Sequence, residues 1–293
     1  MLKFPEQVDR TKRIQQAFAF WIARGIAFAI IGILFLILFF IFKRGIGVLS
    51  WEFLTSMPKN GMTEGGILPA IVGTVYLVLL SMLIAFPIGV LSGIYVNEYA
   101  KDGPLKQFIK MMTNNLAGIP SIVFGLFGMA LFVNQLGFGA SIIAGSLTLA
   151  LLALPLIIRT TEESLKSVED TFRHASFALG ASKLYTVRKV VLPIAFPNII
   201  TGLILSIGRV SGETAPILFT VAAYFLPKMP QSIMDQAMAL PYHLYVISTS
   251  GTDIQTSRPI AYGTAVILIL IVLIVNLIAN YLRNYFSKKV KMK

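Results

Sequence analysis

Two ionisable residues stand four apart in a stretch that otherwise reads as membrane helix. They are Arg209 and Glu213 in "SIGRVSGET", flanked by "PNIITGLIL" and "APILFTVAAYF". A charge at the bilayer centre costs about 2.5–3.5 kcal/mol on insertion scales, so a pair kept there needs a compensating role. A spacing of four puts both side chains on one helix face. Two chemistries suit them. They can neutralise each other as a structural ion pair, although Arg before Glu is the weaker order at this spacing. Alternatively, Arg209 can meet an anion, because a guanidinium offers a planar fork of donors that stays charged at any relevant pH. Glu213 would then hold Arg209 in place, or pair with it when no anion is present. The hydroxyl of Thr214 can join such a site or bond back to its own helix. Gly208 and Gly212 form G-x-x-x-G, a spacing that lets one helix approach another closely. Pro216 lacks a donor and crowds the carbonyl of Gly212, so a kink is expected there.

Catalytic sets are missing from the pattern. The chain has no Cys, and its two histidines, His174 and His243, are isolated, which leaves neither thiol chemistry nor a metal site. No G-x-x-x-x-G-K-[ST] loop occurs, so the chain has no such cradle for ATP phosphates and no cofactor of its own is expected.

The elements that must position Arg209 are membrane spans. The 293 residues are 56% hydrophobic and only 13% charged, with a mean hydropathy of +0.78, which is outside the range of soluble domains. Six apolar runs approach or exceed the roughly 20 residues that cross a bilayer: 25–42, 71–96, 116–133, 139–158, 194–225 and 260–282. The expected fold is an all-α polytopic membrane protein with about six transmembrane helices. The first run is followed by Lys43-Arg44 rather than by a small-residue cleavage site, so it reads as a retained anchor.

The net charge of +12 is explained by topology rather than by nucleic-acid binding. Nineteen of the 25 Lys and Arg fall in the N-terminal segment, the second and fourth loops and the C-terminal tail, all on one side of a six-span arrangement. That excess places both termini in the cytoplasm, and it puts His174 and His243 on opposite sides of the bilayer. Three regions follow: 1–66 with the first span and an outer loop, a denser block 67–282, and a basic tail 283–293. In the third run, "NLAGIPSIVFG" carries Gly118 and Pro120, which should break the helix. No internal repeat is visible.

The longest cytoplasmic segment, 159–193, mixes both charge signs with apolar residues at helical spacing, including Phe172, Phe177, Leu179 and Leu184. It reads as two short amphipathic helices around a turn at Gly180, closed by Pro193. A docking surface and a solvated loop both fit that pattern.

Here the sequence resembles a family. "HASFALGASKLYTVRKVVLP" is similar to the cytoplasmic EAA loop of binding-protein-dependent ABC-importer permeases. Ala175, Gly180, Leu192 and Pro193 fall on the pattern, while His174 stands in the place of its Glu, Ser176 in that of an Ala and Val190 in that of an Ile. Further stretches resemble PstA-type phosphate-importer permeases in the same order, among them "NLAGIPSIVFGLFG", "LTLALLALPLIIRTTEESLKSV", "IGRVSGETAPILFT" and "AYGTAVILILIVLIVNLIA". The resemblance implies the type I ABC-importer permease fold in a plasma (inner) membrane, with residues 174–193 docking on an ATPase. It also implies a PstC-like partner permease, a PstB-like ATPase dimer that binds the ATP, and a PstS-like protein delivering inorganic phosphate. The outer stretch "LPYHLYVISTSGTDIQTSRP" is positioned to receive that delivery. A permease for molybdate or sulfate, and a self-sufficient channel or secondary transporter, are the alternatives.

Overall fold

The computed structural model describes residues 10–250 and 254–291; the start of the N-terminal segment, residues 251–253 of the outer stretch and the last two residues of the tail lie outside it. Helix α1 (Arg10–Gly45) is exposed along nearly all of its described side chains and packs along the last helix of the chain, α12 (Ile254–Lys291). Arg44, at its C-terminal end, lies 4.4 Å above the ring of Phe40 and 5.6 Å from that of Tyr262 on α12. In the loop that follows, Ser50 accepts the N–H of Phe53 at 3.0 Å and so starts the short helix α2 (Trp51–Thr55).

The core is built on α3 (Leu68–Ile94) and α6 (Ile142–Lys166). They run in the same direction in one register, with Leu77 beside Gly145, Gly89 against Ile157 and Gly93 against Thr161. A Cβ on Gly89 would stand 2.6 Å from Ile157 Cγ2, and one on Gly93 would stand 2.7 Å from Thr161 Cβ. Small residues are what allow two helices in lipid to close to this distance. Below Ile94, α3 widens into a π-helical turn, Tyr95–Tyr99.

The break expected at Gly118 and Pro120 is present and moves the third span. Helix α4 (Pro104–Ala117) stops at Gly118, and α5 (Ser121–Gly128) restarts after Pro120 at 102° to it, continuing as a π-helical turn to Gln135. The apolar run 116–133 is therefore divided between two helices. With this bent pair counted as one, six segments among the described residues are long and apolar enough to cross a membrane.

Two other expectations are corrected. In the segment 159–193, the first eight residues still belong to α6, and only α7 (Asp170–Ala178) is a separate amphipathic helix. The second helix, α8 (Lys183–Thr186), does not end at Pro193. It passes through a π-helical turn, Val187–Val191, directly into α9 (Leu192–Ser211). Pro193 has no N–H to close on the turn below, and the widened turn just before it leaves room for its ring. The fifth span thus runs from Lys183 to Ser211 and resumes as α10 (Ala215–Thr220). Beyond it come an irregular segment, α11 (Leu240–Thr249) and α12, whose helix continues through the expected basic tail to Lys291.

Candidate functional site: a helix break in the fifth span and a grooved loop

Arg209 and Glu213 do not sit in one continuous helix. α9 ends at Ser211, where the N–H of Gly212 returns to the carbonyl of Arg209 at 3.1 Å and that of Glu213 to Val210 at 3.2 Å. Pro216, expected to kink the helix, lies in the first turn of α10, where its missing N–H costs nothing. The pair therefore straddles a break between two helices. Interrupted helices persist at membrane depth only where protein or a water-filled cavity meets the freed backbone groups.

The ion pair itself is loose. Arg209 Nε lies 3.5 Å from Glu213 Oε1, with the side chains 37% and 16% exposed. Among the described residues, Arg209 Nη1 and Nη2 make no hydrogen bond, so the outer edge of the fork is free. Leu205, Arg209 and Gly212 form an exposed stripe on α9. Thr214 is uncommitted as well. Ser206, Ser211 and Thr220 each bond a carbonyl of their own helix at 2.6–2.9 Å, whereas no such bond holds Thr214 among the described residues. The reading in which its hydroxyl bonds back is therefore replaced by a free donor beside the pair. The G-x-x-x-G reading also changes. A Cβ on Gly208 would meet only the Asn276 amide at 3.9 Å, and one on Gly212 only a carbonyl of its own helix. The close approach on α9 is made instead by Gly202, against Thr160.

The segment between α6 and α9 is held in a definite shape. α7 closes with the N–H of Gly180 on Phe177 at 2.9 Å and that of Ala181 on Ser176 at 3.2 Å. This is a Schellman ending, which needs a left-handed residue, and Gly180 has φ +80°. Ser182 caps α8 by accepting the N–H of Tyr185, and the buried hydroxyls of Ser176 and Thr186, 2.8 Å apart, join the two helices. The resulting groove, about 620 Å³, is lined by Phe172, Ala175, Leu179, Gly180, Tyr185 and Val190. Leu179 is 88% exposed, and Phe177, Leu184 and Tyr185 are exposed beside it. His174 and Ala175 lie on the exposed side of α7, while Leu192 and Pro193 sit in the first turn of α9, away from the tip.

Two residues that the sequence reading passed over organise this segment. Arg173 Nη2 donates to Glu98 Oε1 at 2.8 Å and to the carbonyl of Leu165 at 2.9 Å. Its Nη1 donates to the carbonyl of Val168 at 2.8 Å and to Asp170 at 3.1 Å. Their side chains are only 14% and 8% exposed. One signal was available: Glu98 is a carboxylate at the end of an apolar run in a chain with only 13 acidic residues, and Arg173 directly precedes the loop motif. In the stretch 240–259 the first half is α11, which buries Leu240, His243, Val246 and Ile247 and leaves Tyr245 exposed; Tyr224, Phe225, Ile233 and Met234 are exposed in the segment before it.

Comparison with known proteins shows the family. Residues 85–292 match the family described as binding-protein-dependent transport system inner membrane component. The chain is 37% identical over 261 residues to the probable ABC transporter permease protein YqgI of Bacillus subtilis, covering 85% of this chain and 88% of that one. It is 35% identical over 238 residues to the phosphate transport system permease protein PstA of Pasteurella multocida, covering 80% and 82%. In fold it is similar to a chain of a bacterial alginate ABC transporter, with a TM-score of 0.68 at 15% identity over 94% of this chain and 96% of that one. It is also similar to a chain of the MetNI methionine ABC transporter, with a TM-score of 0.57 at 19% identity over 75% and 94%. The chain thus belongs to the binding-protein-dependent transport system inner membrane components, as a non-catalytic multi-pass permease of the ABC-importer type, which works with separate ATPase and binding-protein partners.

Proposed function

We propose that this chain is the PstA-like permease of an ATP-driven importer of inorganic phosphate. It forms half of the translocation path with a PstC-like permease, and both its termini face the cytoplasm. A PstB-like ATPase dimer, which binds and hydrolyses the ATP, docks on the segment carrying His174, Ala175, Gly180, Leu192 and Pro193, and a PstS-like protein delivers phosphate outside. The observation that carries the reading is the loosely paired Arg209, with the edge of its fork free, at a mid-span helix break. The free hydroxyl of Thr214 lies beside it. A tetrahedral oxyanion offers paired oxygens to such a fork and further oxygens to neighbouring donors. The names of several relatives, including the Pasteurella multocida PstA protein, support phosphate as that anion.

The test uses the complete importer in proteoliposomes with radiolabelled phosphate. Arg209→Gln abolishes uptake while the complex still assembles, and Arg209→Lys, which keeps the charge without the fork, is impaired. Normal uptake by assembled Arg209→Gln would overturn the proposal. Uptake that sulfate or molybdate outcompetes at equal concentration would reassign the substrate. The orientation is tested separately, since the Cys-free chain allows single-Cys labelling. A Cys in 101–110 stays shielded from an impermeant outer reagent, and one in 59–64 reacts. The reverse pattern would invert the topology.

A further inference from the structure

We infer that Arg173 and Glu98 form the strut that carries movement of the docked ATPase into the transmembrane core, as positioning residues for coupling. The inference rests on the proposed reading of α7 and α8 as the ATPase-docking loop.

A docking helix passes on a displacement only if it is tied to the spans tightly enough not to pivot. By chain continuity alone α7 would pivot, because three residues, 167–169, join it to α6. Arg173 removes that freedom. One guanidinium holds the carbonyl of Leu165 at the end of α6 and that of Val168 in the linker, the first turn of α7 through Asp170, and Glu98, which lies 75 residues away at the base of α3. Asn97 donates to the same Glu98 oxygen at 2.9 Å. The second limb of the loop reaches the same place, with Lys183 of α8 lying 5.3 Å from the ring centre of Tyr99. Both limbs therefore grip one five-residue turn, Tyr95–Tyr99, at the base of α3. That turn is π-helical, a local widening that recurs at functional sites. Directly above it, Gly93 and Gly89 lock α3 to α6. A push on the loop thus reaches α3 and α6 as one body.

The strut is separate from the docking face. Leu179, Leu184 and Tyr185 are exposed, while Arg173 and Glu98 are nearly buried. Neutralising the strut leaves the surface that a partner touches unchanged. A purely structural pair would behave differently. Removing one member would strand a buried charge and lower the yield of folded protein, but every complex that assembled would still transport at the usual ratio.

The measurement is phosphate imported per ATP hydrolysed, read in the same proteoliposomes holding the complete importer. Glu98→Gln should keep the ATPase bound and lower this ratio roughly 5-fold or more, the scale of coupling between distant sites. Arg173→Gln should do the same, and Arg173→Lys, which keeps the pair but cannot reach four acceptors, should fall between. If Arg173→Gln does not assemble, Glu98→Gln reads the same strut, since it leaves the bonds from Arg173 to the carbonyls of Leu165 and Val168 in place. An unchanged ratio in assembled Glu98→Gln overturns the inference, and so does failure of both variants to assemble, which assigns the pair to folding. A Cys at Leu179 in the otherwise Cys-free chain separates the two layers. Cross-linking to the ATPase with an unchanged ratio refutes the strut alone, whereas loss of cross-linking in the unmodified background refutes the docking reading.

Discussion

Arg173–Glu98 and Arg209–Glu213 are both arginine–glutamate pairs, and they are built for opposite ends. The pair at the base of α3 is 2.8 Å long and nearly buried, and its guanidinium has four acceptors. The mid-span pair is 3.5 Å long, its arginine is 37% exposed, and it bonds through Nε alone among the described residues. A buried, fully bonded pair fixes a position, because moving either member strands a charge. A pair with one weak contact can be separated by a competing anion at little cost. The packing around the two follows the same division: glycines close α3 onto α6 near the first, whereas a Cβ on either glycine beside Arg209 would make only ordinary contacts at 3.8–3.9 Å.

That contrast can be broken one methyl group at a time. The largest effect is expected at Gly93, where a Cβ would overlap Thr161 and stand 3.0 Å from the Ile158 carbonyl. Overpacking of this kind costs about 1–3 kcal/mol. Gly93→Ala should therefore lower the melting temperature of the detergent-extracted complex and its yield, and an unchanged melting curve would show that α3 and α6 are not locked. At Gly180 the space is open but φ is +80°, so the cost comes from the backbone. Left-handed geometry costs an ordinary residue roughly 1–2 kcal/mol. Gly180→Val should insert normally and weaken ATPase retention during purification, and full retention would count against a preset loop shape. The smallest effect belongs to Gly208→Ala, whose new methyl would meet only Asn276 at an ordinary 3.9 Å. Uptake and assembly should be unchanged. A strong defect there would mean that this face is closed in the working complex and that the contrast between the two regions fails.

Much of this architecture was legible in the sequence, for physical reasons. Spans are readable because the bilayer demands long apolar runs. Gly118 and Pro120 announced the broken third span, and Gly180 the turn between α7 and α8. Other features were hidden. The continuity of α8 with α9 depends on a π-helical turn that absorbs Pro193, and local propensity treats a proline there as a stop. The break at 212–214 was read as a kink because a proline shows where a helix is disturbed and not how far it opens. Glu98 and Arg173 were missed because they are 75 positions apart, and only the packing of α3 beside α6 brings them together. The free state of the Thr214 hydroxyl could not be read from its type, since Ser and Thr within helices commonly bond their own backbone.

The central claim is that the mid-span pair is open to an anion, and uptake of radiolabelled phosphate by the doubly neutralised importer tests it most directly. With Arg209→Gln and Glu213→Gln together, no uncompensated charge is left at the break, so a pair that served only structure would be replaced without great loss. If Arg209 meets the phosphate, the double variant assembles normally and imports no more than Arg209→Gln alone. Recovery of uptake toward the unmodified rate would contradict that account and return Arg209 and Glu213 to a static ion pair.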